Sequence, residues 1–155
     1  MADKLLYARE PMINWLKDAV PLMEAHWNEC GHDHDKIALA PDFPKWTLLE
    51  RMGCAVGFTA RTAESKTLVG YAGYLMAPSL NYRDHTFAFA DLVFVTPEHR
   101  RGLNGLNFIA HCVAELKKAG ASKVQHVSPI DNDFGKLLER LGFVARETVF
   151  EKVLV

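Results

Sequence analysis

The chain has 155 residues, 49% of them hydrophobic, and a formal net charge of −1. That length fits one domain around one core, and the apolar content excludes a disordered chain. The near-neutral balance gives no basis for a nucleic-acid partner or an anionic membrane. Cys30, Cys54 and Cys112 show no paired spacing, which points to a reducing compartment. No apolar run has membrane-spanning length and the start lacks a basic-then-apolar leader, so a soluble cytoplasmic protein is expected.

In chain order, Lys4 to Arg9 reads as a short strand. Pro11 can open a helix, and Ile13, Leu16, Val20 and Met23 follow at helical spacing until Cys30-Gly31. His32-Asp33-His34-Asp35 is a polar loop; it lacks a further ligand at metal-binding spacing and reads as solvated, with no metal expected. Trp46, Leu48, Leu49 and Met52 predict a short helix ending at Gly53. Ala55 to Arg61 and Leu68 to Met76 predict an antiparallel hairpin, and Thr86 to Val95 a longer strand interrupted in character by Asp91. Leu106, Ile109, Ala110, Val113 and Leu116 define one face of a helix over Leu103 to Ala119, closed by Gly120. A short strand at Lys123 to Ser128 follows, then a helix capped by Asp131 and stopped by Gly142. Phe143 to Leu154 predicts one or two last strands. No repeat or linker divides the chain. The order defines an α/β (α+β mixed) layer fold with one long helical crossover.

The junction from Val93 to Leu106 is the most informative stretch. An apolar strand runs into Pro97, then Arg100, Arg101, Gly102 and Gly105, then the strong helix. Arginine opposes the dipole of an empty helix start, and becomes favourable if a phosphate sits there. A phosphate-bearing ligand near residue 100 is therefore expected. A P-loop is disfavoured, since no Gly-Lys-Ser/Thr ending is present.

Val95-x-Pro97-Glu98-x-Arg100-Arg101-Gly102-x-x-Gly105, a helix, a strand, and Leu138-Glu139-Arg140-Leu141-Gly142-Phe143 together resemble the GNAT acetyltransferase superfamily. The resemblance runs from about Ala55 to the end. Gly70-Tyr71, Leu80-Asn81-Tyr82, Ala90-Asp91-Leu92 and Thr148-Val149-Phe150-Glu151-Lys152 further resemble a phage and prophage branch, which would place the protein in a host cytoplasm. The resemblance implies a central, mostly antiparallel mixed sheet flanked by helices, with acetyl-CoA at a splayed strand pair. It implies a single domain over 1–155: a helical acceptor-side region at 1–53 and an acetyl-CoA-binding core at 54–155. The implied activity is acetyl transfer to an amine of a small molecule or protein, by direct attack in a ternary complex. Two departures stand out. Leu103 and Asn104 occupy positions where the family's acetyl-CoA loop has glycine, and Leu138 replaces a tyrosine that many members use as general acid. A CoA-binding or protein-interaction module without catalysis is the alternative. By analogy, the final strand is a place where a homodimer could pair sheets.

Within this reading, backbone N–H groups of Arg101, Gly102, Leu103, Asn104, Gly105 and Leu106 hold the pyrophosphate, with Arg100 or Arg101 adding charge. Backbone groups of Val93, Phe94 and Val95 hold the pantetheine arm and polarise the thioester carbonyl. Asp91, inside an apolar run, serves as general base, or else pairs with a nearby cation or with backbone at a strand irregularity. Tyr82, His126 and Ser128 are the proton-donor candidates.

Overall fold

The alternation legible in the sequence becomes a five-stranded sheet in the order β1-β2-β3-β4-β5. The computed structural model of the chain describes residues 4–155, so residues 1–3 of the expected 1–53 region lie outside the described residues. The strands are β1 (Leu5–Arg9), β2 (Ala55–Thr62), β3 (Leu68–Pro78), β4 (Thr86–Val95) and β5 (Ala121–Gln125). The first four pair antiparallel in succession, and β5 pairs parallel with β4. Helices α1 (Val20–Cys30), α2 (Phe43–Arg51), α3 (Asn104–Lys118) and α4 (Gly135–Arg140) flank it.

Two cores sandwich the sheet. On one face α3 buries Phe108, Cys112 and Leu116 against Val56, Phe58, Tyr74 and Ala88. On the other, Met12, Trp15, Leu16 and Met23 pack on Tyr71 and Phe94, with Trp46 and Leu49 of α2 alongside. Each fully buried aliphatic or aromatic side chain contributes roughly 1.5–3 kcal/mol of transfer free energy.

The predicted helix from Pro11 to Cys30 is broken. A single 3-10 turn spans Met12–Asn14, and α1 starts afresh at Val20 with Pro21 in its first turn. A continuous helix would need an N–H from Pro21 and would bring its ring against the preceding turn. The strand predicted at Lys123 to Ser128 lies earlier, at Ala121–Gln125, directly after the left-handed turn at Gly120. The last helix begins at Gly135, and Asp131 sits in a separate 3-10 turn. The largest difference is at the end. Residues 143–155 form no strand, and Phe150, Leu154 and Val155 are largely exposed. They pair with no strand although the outer edge of β5 is open, so an alternating pattern by itself does not secure pairing. The structure therefore offers no final strand through which two copies could pair sheets. No helix among the described residues is long and apolar enough to cross a membrane.

Candidate active site

Strand β4 carries two irregularities that create the site. Against β3, Gly73 faces Leu92 and Tyr74 faces Ala90, so Asp91 is an extra residue opposite the Gly73–Tyr74 step. This is a β-bulge, which bends a strand and increases its twist. The alternation reverses across it: Ala88 and Ala90 before it, but Val93 and Val95 after it, belong to the α3-side core, while Leu92 and Phe94 pack on the other side. The second irregularity is on the opposite edge. Pairing with β5 runs only from Thr86 to Phe89, so from Ala90 to Val95 no strand among the described residues lies along that edge. β5 ends at Gln125, opposite Phe89, so the β4 edge beyond the bulge is left open where the resemblance implies a splayed pair.

Asp91 lines a cleft of about 200 Å³ with Asp42, Lys45, Trp46, Leu49 and Leu75. Its carboxyl is open on the outer side, while dehydration by the cleft walls raises its pKa above the ordinary aspartate value. Trp46 closes the inner wall because Gly73 lies beneath it; a Cβ there would stand 3.0 Å from the indole. Asp42 is committed elsewhere. It caps α2 by accepting the Lys45 backbone N–H at 2.9 Å, and it faces Lys45 Nζ at 3.3 Å.

The phosphate-binding candidate lies where β4 ends. After the 3-10 turn at Pro97–His99, Gly102 takes a φ of 65°, and α3 begins. That left-handed conformation suits glycine and lets the chain turn into the helix. Among the described residues no side chain caps the start of α3. The first ladder bond is Asn107 N–H to the Leu103 carbonyl, at 2.8 Å, so the amides of Gly105 and Leu106 precede it and project from the helix end. The loop is braced from within: Asn104 Nδ2 donates to the His99 carbonyl at 3.0 Å, and the Tyr7 hydroxyl donates to the Asn104 carbonyl at 3.1 Å.

Arg100 does something the sequence did not reveal. Its Nη1 and Nη2 donate to the two carboxylate oxygens of Glu29 at 2.5 and 2.7 Å, and Nε donates to the Val95 carbonyl at 2.6 Å. The guanidinium also lies 5.1 Å from the Phe94 ring centroid. Asn132 Nδ2 joins the cluster, donating to Glu29 at 3.1 Å. Arg100 is thus a clamp from the end of β4 to α1, and Arg101 is the exposed cation beside the helix start. The clamp holds the Glu29 carboxyl below its ordinary pKa, chiefly through the Arg100 hydrogen bonds. With the folded pKa below the unfolded one, this stabilisation is present above the ordinary glutamate range and is lost as pH falls through the folded value. Glu29→Gln is therefore expected to cost about 1 kcal/mol at neutral pH, allowing for partial exposure. Urea melts of both proteins should converge in acid, where wild-type Glu29 is itself protonated.

The three proton-donor candidates have different surroundings. Tyr82 is exposed, and its ring lies 6.0 Å from that of Phe87. Phe87 is four residues before Asp91, about 13 Å along a strand. The Ser128 hydroxyl donates to Asp133 Oδ1 at 2.7 Å and accepts the Phe134 N–H at 2.9 Å, which places it in the turn before α4. His126 follows the last residue of β5, with Nε2 3.1 Å from the Tyr74 hydroxyl. Burial pushes its pKa down to about 4, so it is neutral at pH 7. Leu138 is buried in α4 and has no proton to give. Cys112 is a core residue whose thiol is pushed up by burial.

No family model matches the sequence, and neither does any curated protein. Solved structures match in fold. An aminoglycoside acetyltransferase from an uncultured soil metagenomic sample, in complex with sisomicin, has a TM-score of 0.72 at 16% identity, over 98% of this chain and 95% of that one. A ribosomal-protein-alanine N-acetyltransferase from Brucella melitensis has a TM-score of 0.72 at 16% identity, over 98% and 100%. Glucosamine-6-phosphate N-acetyltransferase from Arabidopsis thaliana has a TM-score of 0.73 at 11% identity, over 99% and 100%. The chain has the fold of the GNAT acetyltransferases. These neighbours are named for three different acceptors, so the fold leaves the acceptor to each chain's own cleft.

Proposed function

We propose that this protein is an acetyl-CoA-dependent N-acetyltransferase that moves the acetyl group directly to an amine. The observation that carries the reading is the coincidence, along and just beyond one strand, of a bulged acidic residue, an open strand edge and a helix start whose Gly105 and Leu106 amides precede the first ladder bond. The residues fit the co-substrate. The amides of Gly105 and Leu106, with Arg101 nearby, suit a pyrophosphate. The strand-free edge from Ala90 to Val95 suits an extended amide-bearing arm, although Arg100 already occupies the Val95 carbonyl. The bound thioester supplies an activated acetyl group.

Asp91 takes one proton from the bound ammonium and passes it to solvent; as the freed amine nitrogen bonds to the acetyl carbon and the carbon–sulfur bond breaks, the second N–H proton goes to Asp91 and the bonding electron pair leaves with the thiolate. Dehydration by the cleft walls raises the pKa of Asp91, which makes its carboxylate a stronger base than an ordinary aspartate. A backbone N–H on the freed edge of β4 serves as oxyanion donor, worth about 3 kcal/mol when aimed at the carbonyl oxygen. A thiol has a reference pKa near ~8.5, so its departure does not require a dedicated acid. That suits a site where Leu138 is apolar, Ser128 is committed to Asp133 and His126 is neutral. The helical part of residues 1–53 forms the acceptor side, and residues 54–155 carry the co-substrate.

The test is a single-turnover reaction with acetyl-CoA and a primary amine. Thiol release should match amide formation, and the protein's intact mass should stay unchanged throughout. Binding of acetyl-CoA without transfer to any amine would favour the inactive CoA-binding module. A stable acetyl adduct on Cys30 or Cys54 would contradict direct attack.

A further inference from the structure

We infer that the acceptor is a compact primary amine carrying a single positive charge on an apolar body, of the alkylamine or arylalkylamine class. This rests on the acetyltransferase reading and names the acceptor for that same site.

Charge comes first. The cleft holds Asp42, Lys45 and Asp91, and Lys45 faces Asp42 at 3.3 Å. Among the described residues Asp91 has no ion-pair partner, so the cleft presents one uncompensated carboxylate. One ammonium balances it. A polycation would bring further ammonium groups against Lys45 and the apolar walls with no carboxylate to meet them. A free amino acid would bring its carboxylate beside Asp91, where like charges repel.

Shape and polarity come next. Trp46, Leu49 and Leu75 are the walls, and the indole offers a cationic head a ring face as well as an apolar contact. At about 200 Å³ the cleft is smaller than the ~300–1,000 Å³ typical of drug-sized ligands. The apolar surface continues outward. Leu75 on β3 pairs directly with Phe89 on β4, and both are exposed, at 36% and 38%. Directly opposed residues lie side by side on one face. An amine whose head meets Asp91 can therefore lay an alkyl or phenyl tail over Leu75 and Phe89.

The experiment compares 2-phenylethylamine, hexylamine, kanamycin and L-phenylalanine as acceptors with saturating acetyl-CoA, following thiol release and the amide product. The first two should exceed the others in kcat/KM by at least about tenfold. Leu75→Ser and Trp46→Leu should raise the KM for 2-phenylethylamine by about tenfold, with kcat and acetyl-CoA affinity within about twofold of wild type. Preference for kanamycin or L-phenylalanine, or an unchanged KM in both variants, overturns the acceptor class and leaves the acetyltransferase reading standing. If acetyl-CoA binds and none of the amines is acetylated, the acetyltransferase reading fails instead. Fluorescence quenching by 2-phenylethylamine, lost in Trp46→Leu, then still decides what the cleft prefers.

Discussion

Asp91→Asn is expected to slow acetyl transfer by roughly 10²–10⁴-fold, the range for loss of a positioned general base. Acetyl-CoA affinity should stay within about twofold, because Asp91 stands in the cleft proposed for the acceptor and not at the helix start. The pH dependence carries a sign. Dehydration raises the Asp91 pKa, so the acid limb of the wild-type profile should lie above the ordinary aspartate range, with the rate falling as pH drops through it. The variant should lack that limb. Stability should move the other way. A folded pKa above the unfolded value means the native state binds more protons in between, so ionising Asp91 costs stability as pH rises through that window. The variant should melt no lower than wild type at neutral pH, the pattern of a residue kept for chemistry. An Asp91→Asn protein that is as active as wild type, or that melts well below it, would make Asp91 a structural residue of the bulge.

Gly105→Asp separates folding from co-substrate binding at the other end of the site. A Cβ at Gly105 meets only Leu137 Cδ1, at 3.5 Å, an ordinary contact. A carboxylate in the first turn of α3 complements the helix dipole, by about 0.3–1 kcal/mol, and replacing glycine in a helix adds a similar gain. The variant should therefore melt at or above the wild-type temperature. The same carboxylate occupies the place proposed for the pyrophosphate, and like charges there should weaken acetyl-CoA by roughly 100-fold. Thermal melts and a binding isotherm on the same preparation check both halves. Unchanged binding would move the phosphate site away from the start of α3.

The elements that the sequence made legible are those with a clear period and firm punctuation. The β2–β3 hairpin, β4 and α3 all lie within a few residues of expectation, because alternation or a 3.6-residue face coincided with Gly53, Pro97 and Gly120. The site was partly legible for the same reason. A lone carboxylate in the apolar run Phe87 to Phe94 marked Asp91, and the run also held the bulge in plain view: small and branched residues fall on even numbers up to Ala90 and on odd numbers from Val93. That switch of parity is the signal that sequence reading could have used. Trp46 had a comparable marker in Gly73, a glycine inside a strand, where another group comes close. The Arg100 clamp had none. Its partner Glu29 lies 71 residues away, and only the packing of α1 over Phe94 brings them together. The end of the chain failed in the opposite direction: residues 143–155 alternate like a strand, but alternation specifies a face and supplies no partner edge.

Acetyl-CoA binding at the open end of β4 underlies every step proposed for this protein. The most direct measurement is a calorimetric titration of the wild-type protein with acetyl-CoA, with CoA and ATP as comparators. Acetyl-CoA and CoA should bind saturably in the micromolar range, with ATP weaker and with acetyl-CoA affinity sharply reduced in Gly105→Asp. Absence of binding by either CoA species, or tighter binding of ATP, would contradict the proposed function.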